Sequence, residues 1–296
     1  PLLSLKYWLR MALTAARQLR ATQPEVSATR YGDLEGAEWW EKHAELFEEA
    51  RVELGAAAPA VYHFQPEWLK PQVAEALAAG KALRPLLQKI CEDSAGHAAY
   101  SIDLFRDEFC DMLLAELDHL EASGIPLRRP NGMNRFGAIL SQLGFQEGLL
   151  EPLMKEVALP LGRDLWPEWV SGTDCDETYG FVVRYRIGED VELAEHADTS
   201  NLTLNLCLGR DFVGGDLYFK GVRFTDSMDD QNASLVQHKK GTAIIHLGGH
   251  FHGVHPIMSG ERSNLVLWGT GPGGVVRIRA ESPKPSRLGF CKLQKK

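Results

Sequence analysis

The chain has 296 residues, 44% of them hydrophobic, which suits one large domain or a domain with an appended region. A net charge of −8 argues against nucleic acid as a partner of the whole chain, and there is no apolar run of the roughly 18 residues that a membrane-spanning helix needs. The five cysteines are odd in number and scattered, with neither a CxxC pair nor a disulfide framework, which favours a reducing, intracellular setting.

Residues 1–97 read as a helical N-terminal region. The first 24 carry Lys6, Arg10, Arg17 and Arg20 with no acid before Glu25. With Leu5, Trp8, Leu9 and Leu13 they make an amphipathic pattern that suits a surface helix and has the composition of a transit-like targeting helix. Glu35 to Glu53 is acidic and helix-forming, with Trp39, Trp40 and Phe47 as apolar anchors and the acidic face in solvent. Pro59, Pro66 and Pro71 call for turns or short helices. Gln72 to Cys91 reads as helix again, interrupted at Gly80.

A main domain is expected over 98–275. Phe105, Phe109, Leu113, Leu117 and Leu120 stand at helical spacing, stopped by Gly124 and Pro126. Arg128–Gly132 is a turn, and a second helical stretch runs from about Gln146 to Leu165. From Gly180 the period becomes 2: Phe181, Val183 and Tyr185 alternate with Val182, Arg184 and Arg186, and Leu202, Leu204 and Leu206 with Thr203, Asn205 and Cys207. Further strands are expected at Asp216–Lys220, Thr242–Leu247 and Ser263–Trp268, with glycines between them. Helices first and strands second make an α+β chain whose core, about 180–270, is a sandwich or barrel. Residues 276–296 form a basic tail, with Glu281 as its one acid.

Two histidines and one carboxylate are the least a protein contributes to an open octahedral iron site. His196 and Asp198 are two apart, so in an extended segment both point to one face. Five of the ten histidines lie between His238 and His255, and His250 and His252 offer a similar pair from another strand. His238, next to Lys239 and Lys240, is expected at the surface. Arg262 alternates with Ser263, Leu265 and Leu267 in the company of Asn264, Val266 and Trp268. If the leucines pack outward, Arg262 faces the interior, where a guanidinium needs an anion. Glu261 alternates to the other face. A dicarboxylate ligand satisfies Arg262, and so does an acid distant in sequence.

Several stretches resemble the 2-oxoglutarate- and Fe(II)-dependent oxygenases of the prolyl and lysyl hydroxylase type. These are FVVRYR at 181–186, the HAD at 196–198, Gly214-Gly215, Lys240-Gly241, and His252-Gly253-Val254-His255-Pro256 followed by Gly260-Glu261-Arg262. Residues 100–137, with RPNGMNRFG at 129–137, resemble the stretch before the oxygenase domain in the 2-oxoglutarate and iron-dependent oxygenase domain-containing protein 2 group. The resemblance implies a helical N-terminal region followed by a double-stranded β-helix (jelly-roll) oxygenase core with flanking helices. It also implies iron ligands His196, Asp198 and His252, because the family's distal histidine stands four residues before a proline and ten before the basic residue. Arg262 would then pair with the far carboxylate of 2-oxoglutarate, and Tyr185, Thr203 and Asn205 are further candidates to contact it.

The implied activity is a dioxygenase that uses Fe(II), 2-oxoglutarate and O2, with ascorbate as a supporting reductant. It would hydroxylate a C–H bond of a peptide or protein side chain of lysyl or prolyl type and release succinate and CO2. The acidic loop Asp226–Asp230 is a candidate border of the mouth, where it would favour a basic substrate. Two other classes compete. One is a non-catalytic jelly roll that binds metal or ligand as an interaction module. The other is a zinc hydrolase, which calls for an HExxH-like base that is missing here.

Overall fold

The structure, a computed structural model, describes residues 2–24 and 37–277. The basic tail beyond 277 lies outside the described residues, as do the side chains of Leu5, Trp8 and Leu9. None of the described helices is long and apolar enough to cross a membrane.

Three helices open the chain order, α1 (Leu2–Leu19), α2 (Ala37–Leu54) and α3 (Pro71–Ala78), and α4 (Asp107–Ala122) follows the first two strands. Ala12 and Ala16 of α1 are buried against Trp40, Phe47 and Ala50 of α2 and against Ile125. Trp40 and Phe47 are therefore the anchors expected of the acidic helix, each worth about 1.5–3 kcal/mol of burial. The prolines open short 3-10 turns at Pro59–Tyr62 and Pro66–Trp68 and the helix α3. A helical run with two π segments continues from Gln146 to Leu165.

One stretch departs from the expected helix over 72–91. The helix ends at Ala78, and β1 (Gln88–Glu92) pairs antiparallel with β2 (Ala98–Asp103). Leu83 and the 3-10 turn Arg84–Leu86 separate the two elements. Pairing with β2 decides the conformation of a segment whose own composition favours helix. The hairpin joins residues on both sides of position 97 in a single sheet.

The remaining strands are β3 (Gly137–Ile139), β4 (Glu177–Arg186), β5 (Leu193–His196), β6 (Leu202–Gly209), β7 (Phe212–Gly214), β8 (Leu217–Val222), β9 (Ser234–Val236), β10 (Thr242–Leu247), β11 (His250–Val254) and β12 (Ile257–Thr270). Among the described residues they form two antiparallel sheets. The larger has the order β1-β2-β10-β6-β12-β4-β3, with β7 on the end of β12; the smaller is β5-β11-β8-β9. Successive long strands alternate between the sheets: β4, β6, β10 and β12 in one, β5, β8 and β11 in the other. That alternation is the winding of a double-stranded β-helix.

The period of 2 sorts the side chains. Val182, Leu202, Leu204, Leu206, Leu265 and Leu267 face outward into one core, where Phe109 and Leu113 of α4 and Leu149, Leu153 and Val157 of the helical run cover them. Phe181, Val183, Tyr185, Val266 and Trp268 face inward and meet Leu217, Phe219 and Val254 of the smaller sheet. The helices thus hold the larger sheet from behind, and the space between the sheets is left for the site.

Candidate metal centre and co-substrate pocket

His196 ends β5 and His252 sits opposite it on β11, in register. Asp198 follows in the turn, its backbone N–H donating to the carbonyl of Gly248 at 2.8 Å. Gly248 is required there because a Cβ would stand 2.0 Å from the backbone oxygen of Ser200. The ligating atoms of His196, Asp198 and His252 all lie within 4.8 Å of one another. His196 Nε2 is 3.4 Å and His252 Nε2 3.7 Å from Asp198 Oδ1.

Hydrogen bonds around the cluster set its orientation. His196 Nδ1 donates to the Ala194 carbonyl at 3.0 Å and His252 Nδ1 to the His250 carbonyl at 2.9 Å. Each ring therefore keeps the Nε2 lone pair for the centre, the arrangement metal-binding imidazoles use. Thr203 Oγ1 donates to Asp198 Oδ2 at 2.6 Å and is itself bonded to Ser200 Oγ at 2.8 Å. Burial alone raises the Asp198 carboxyl, but the facing imidazoles of His252 and His196, the latter also hydrogen-bonded to it, outweigh burial and hold the group well below the usual carboxylate range. Burial pushes His252 down to about 3 despite the facing carboxylate, so it stays neutral. Burial opposes protonation of His196 as well, yet its hydrogen bond and charge interaction with Asp198 raise it. Two neutral-capable imidazoles and one ionised carboxylate fit a divalent iron site with open positions.

The other histidines divide plainly. His246 is buried with its Nδ1 on the Leu247 carbonyl, and its Nε2 stands 3.9 Å from Asp198 Oδ2, outside the cluster. His250 is fully buried and lies outside the cluster, so it and His252 do not form one donor set. His255 is exposed. His238, expected at the surface from its lysine neighbours, is buried. Its Nε2 donates to the Thr242 carbonyl at 2.9 Å, its Nδ1 accepts from Asn264 at 3.0 Å, and burial brings its pKa down to about 3. It lies in the connection between β9 and β10, and its bonds to Thr242 and Asn264 hold it inward, whatever the charge on either side in sequence.

Arg262 lies in the same cavity, of about 220 Å³, as the three clustered residues. It is 1% exposed and makes no ion pair with a described carboxylate. Nη1 donates to the Gly215 carbonyl, and Nε has no partner. The guanidinium is 4.9 Å above the Tyr185 ring, and burial lowers its pKa. A buried guanidinium stays charged and calls for an anion. Glu261 is spent on Arg186 and Arg210 at the other face, and Asp216, distant in sequence, acts on the guanidinium through its charge. A free carboxylate group entering the cavity fits the vacancy in its hydrogen bonding.

Tyr185 and Asn205 also line the cavity. The Tyr185 hydroxyl accepts from Asn134 at 3.3 Å, and Asn205 Oδ1 accepts from Asn264 at 2.6 Å. Thr203 lines it too, but its hydroxyl is committed to Asp198. The sequence reading missed Asn134 and the loop Pro130–Met133, which form one wall. Asn131 shapes that loop by accepting the backbone N–H groups of Met133 and Asn134 at 2.8 and 2.7 Å. The turn signal was visible in Arg128–Gly132; its place over the cavity depends on β3 pairing with β4. The acidic loop does not border the mouth. Ser227 is buried on Asp93, and Asp230 accepts from Ser94 at 2.8 and 2.9 Å. No residue of 226–230 lines the cavity.

A double-stranded β-helix with two imidazoles and a carboxylate converging between its sheets, and a buried arginine beside them, has the fold of the 2-oxoglutarate- and iron-dependent oxygenases. Residues 54–171 match the OGFOD2-like domain model. The chain resembles the 2-oxoglutarate and iron-dependent oxygenase domain-containing protein 2 group. It is 41% identical to the protein of that name from Mus musculus over 189 residues, which cover 64% of this chain and 54% of that protein. It is 29% identical to procollagen-lysine,2-oxoglutarate 5-dioxygenase 1 of Gallus gallus over 186 residues, covering 60% of this chain and 24% of that one. The chain thus spans about half the length of the mouse relative. Among solved structures, a Pseudomonas putida prolyl-4-hydroxylase aligns with 66% of this chain and 94% of its own at 19% identity and a TM-score of 0.41.

Proposed function

We propose that the chain is an Fe(II)- and 2-oxoglutarate-dependent dioxygenase that hydroxylates a C–H bond of a protein side chain. The balance is one C–H substrate, one 2-oxoglutarate and one O2 converted to one alcohol, one succinate and one CO2. The observation that carries this reading is Arg262: a buried guanidinium without a carboxylate partner, in one cavity with His196, Asp198 and His252. A metal site alone explains the three ligands; a dicarboxylate explains the arginine as well.

Iron(II), when bound, supplies the oxygen activation and C–H oxidation that no side chain in this cavity performs. His196, Asp198 and His252 would hold it, and Thr203 keeps Asp198 turned to them. Arg262 takes the far carboxylate, with the Tyr185 ring beneath its guanidinium. The apolar inner faces of β4 and β12 exclude water from the cavity. Ascorbate is the reductant proposed to keep the iron ferrous. The name of the lysyl hydroxylase relative supports a side chain of a polypeptide as the group oxidised.

Purified protein given Fe(II), 2-oxoglutarate, O2 and ascorbate is expected to form succinate slowly without substrate, and the Asp198→Ala variant is expected to form none. Activity retained by the variant would remove Asp198 from the metal site. Tight iron binding with no turnover on any peptide would make the chain a binding module instead.

A further inference from the structure

One wall of the cavity comes from outside the β-helix, and its side-chain amides form a hydrogen-bond chain with a fixed direction. Residues 130–134 line the cavity and fall within 54–171, the stretch that matches the OGFOD2-like domain. His196, Asp198, His252 and Arg262 all lie beyond that stretch. The loop is braced on both sides. Arg129 Nε donates to the carbonyls of Asn131 at 3.2 Å and Asn134 at 3.1 Å. Asp190 Oδ2 accepts the backbone N–H groups of Arg135 at 2.7 Å and Phe136 at 3.2 Å. β3 then pairs Gly137 with Val183, so closely that a Cβ on Gly137 would stand 1.9 Å from the Val182 oxygen. That approach brings Asn134 to Tyr185.

The direction of the chain follows from the backbone. Asn131 Oδ1 accepts the N–H groups of Met133 and Asn134. A backbone N–H only donates, so the accepting atom is the amide oxygen and the other end of the amide is Nδ2. That nitrogen donates to Asn134 Oδ1 at 3.1 Å, which leaves Asn134 Nδ2 as the atom 3.3 Å from the Tyr185 hydroxyl oxygen. The hydroxyl therefore accepts from Asn134, and its own proton turns elsewhere. Burial raises the pKa of the hydroxyl, so the proton stays on it. Among the described residues nothing accepts that O–H. The Arg262 guanidinium stands 4.9 Å over the ring of the same tyrosine. Two donors that meet in one cavity call for a group that only accepts, as an ionised carboxylate does.

We propose that Asn131 and Asn134 are positioning residues for the co-substrate: they fix the Tyr185 hydroxyl as a donor, so that it and Arg262 together select an ionised carboxylate. The OGFOD2-like stretch thereby completes a pocket whose other groups come from the β-helix. This rests on the 2-oxoglutarate reading above and adds residues that the reading did not use. Asn134 acts through Tyr185, not by contact with the ligand. The 5-amide of the co-substrate, 2-oxoglutaramate, would have to set its NH2 group against one of the two donors.

The test is the calorimetric Kd of 2-oxoglutarate on protein loaded with Mn(II). Tyr185→Phe is expected to weaken binding about tenfold, the scale of one charge-assisted hydrogen bond. Asn134→Leu, uncharged and close in size, is expected to weaken it about three- to tenfold. The double variant is expected to match Tyr185→Phe within about twofold, because Asn134 has no second route to the ligand; a wall that had only lost its shape would add its own loss. Asn134→Ser, whose shorter side chain cannot overfill the site, repeats the measurement with the same expectation. 2-Oxoglutaramate is expected to bind wild type at least about tenfold more weakly than 2-oxoglutarate. Unchanged affinity in Tyr185→Phe or in both Asn134 variants, losses that add in the double variant, or equal affinity for 2-oxoglutaramate would each overturn the proposal. Failure of wild type to bind 2-oxoglutarate at all would instead refute the co-substrate reading.

Discussion

Thr203 Oγ1 donates a 2.6 Å hydrogen bond to Asp198 Oδ2, which leaves Asp198 Oδ1 as the oxygen facing His196 and His252. The same threonine is bonded to Ser200 Oγ, so the carboxylate is held by a short relay at the start of β6. Thr203→Val keeps the shape and removes the donor. Loss of an outer hydrogen bond of this kind weakens metal binding about 10- to 100-fold. Titration with Mn(II) or Fe(II) under anaerobic conditions measures it; an unchanged metal affinity would show that Asp198 needs no such support.

Arg262→Ala removes the partner proposed for the far carboxylate. A charge-assisted hydrogen bond contributes about 1.5–3 kcal/mol, so the KM for 2-oxoglutarate is expected to rise about 10- to 100-fold, with a smaller rise for Arg262→Lys, which keeps the charge and loses the fork. Steady-state kinetics with varied 2-oxoglutarate separates this from a general loss of activity. A KM equal to wild type in both variants would give Arg262 a structural role only.

Gly248→Ala tests the turn behind the proposed metal ligands. The added methyl would meet the Ser200 backbone oxygen at 2.0 Å, and the Gly248 carbonyl is the acceptor for the Asp198 N–H. The turn must shift and Asp198 with it. Both iron affinity and melting temperature are expected to fall, whereas Gly273→Ala, near open space, serves as the control for handling and strains only its own turn. Normal iron binding by Gly248→Ala would mean that the turn does not position Asp198.

Stability of the N-terminal layer depends on Glu116. It is fully buried in α4 and accepts from the Ala58 backbone N–H at 2.6 Å and the Tyr62 hydroxyl at 2.8 Å. Glu116→Ala strands both donors, at about 1–3 kcal/mol each. Thermal unfolding should shift down by about 5 °C or more, while Fe(II) affinity of the folded protein stays near wild type because the site is built on other elements. A melting temperature equal to wild type would show that water replaces the carboxylate without cost.

Much of this arrangement was legible in the sequence where side-chain period and local spacing carry the information. The alternation in Phe181–Arg186, Leu202–Cys207 and Arg262–Trp268 placed the strands and told inward from outward residues, because strand geometry allows no other reading of a period of 2. The His-Ala-Asp spacing put two donors on one face. What depends on pairing between distant segments was not legible. His238 looks exposed beside two lysines, yet the fold turns it onto Asn264. Gln88–Glu92 has no strand pattern of its own and becomes a strand because β2 lies beside it. The loop at 226–230 looked like an acidic rim, but Asp93 and Ser94, more than a hundred residues earlier, draw it away. Thr203 was placed on the right face, while its partner, Asp198, followed only from the turn that brings the two together.

The central claim is that the metal ligands and Arg262 bind the two ends of one molecule. Coupled sites must affect each other equally. The direct measurement is the calorimetric Kd of 2-oxoglutarate with and without Mn(II), in wild type and in Asp198→Ala. Mn(II) is expected to tighten 2-oxoglutarate binding at least about tenfold in wild type, 2-oxoglutarate to tighten Mn(II) by the same factor, and Asp198→Ala to lose the coupling. Equal affinity for 2-oxoglutarate with and without metal in the wild-type protein would contradict it.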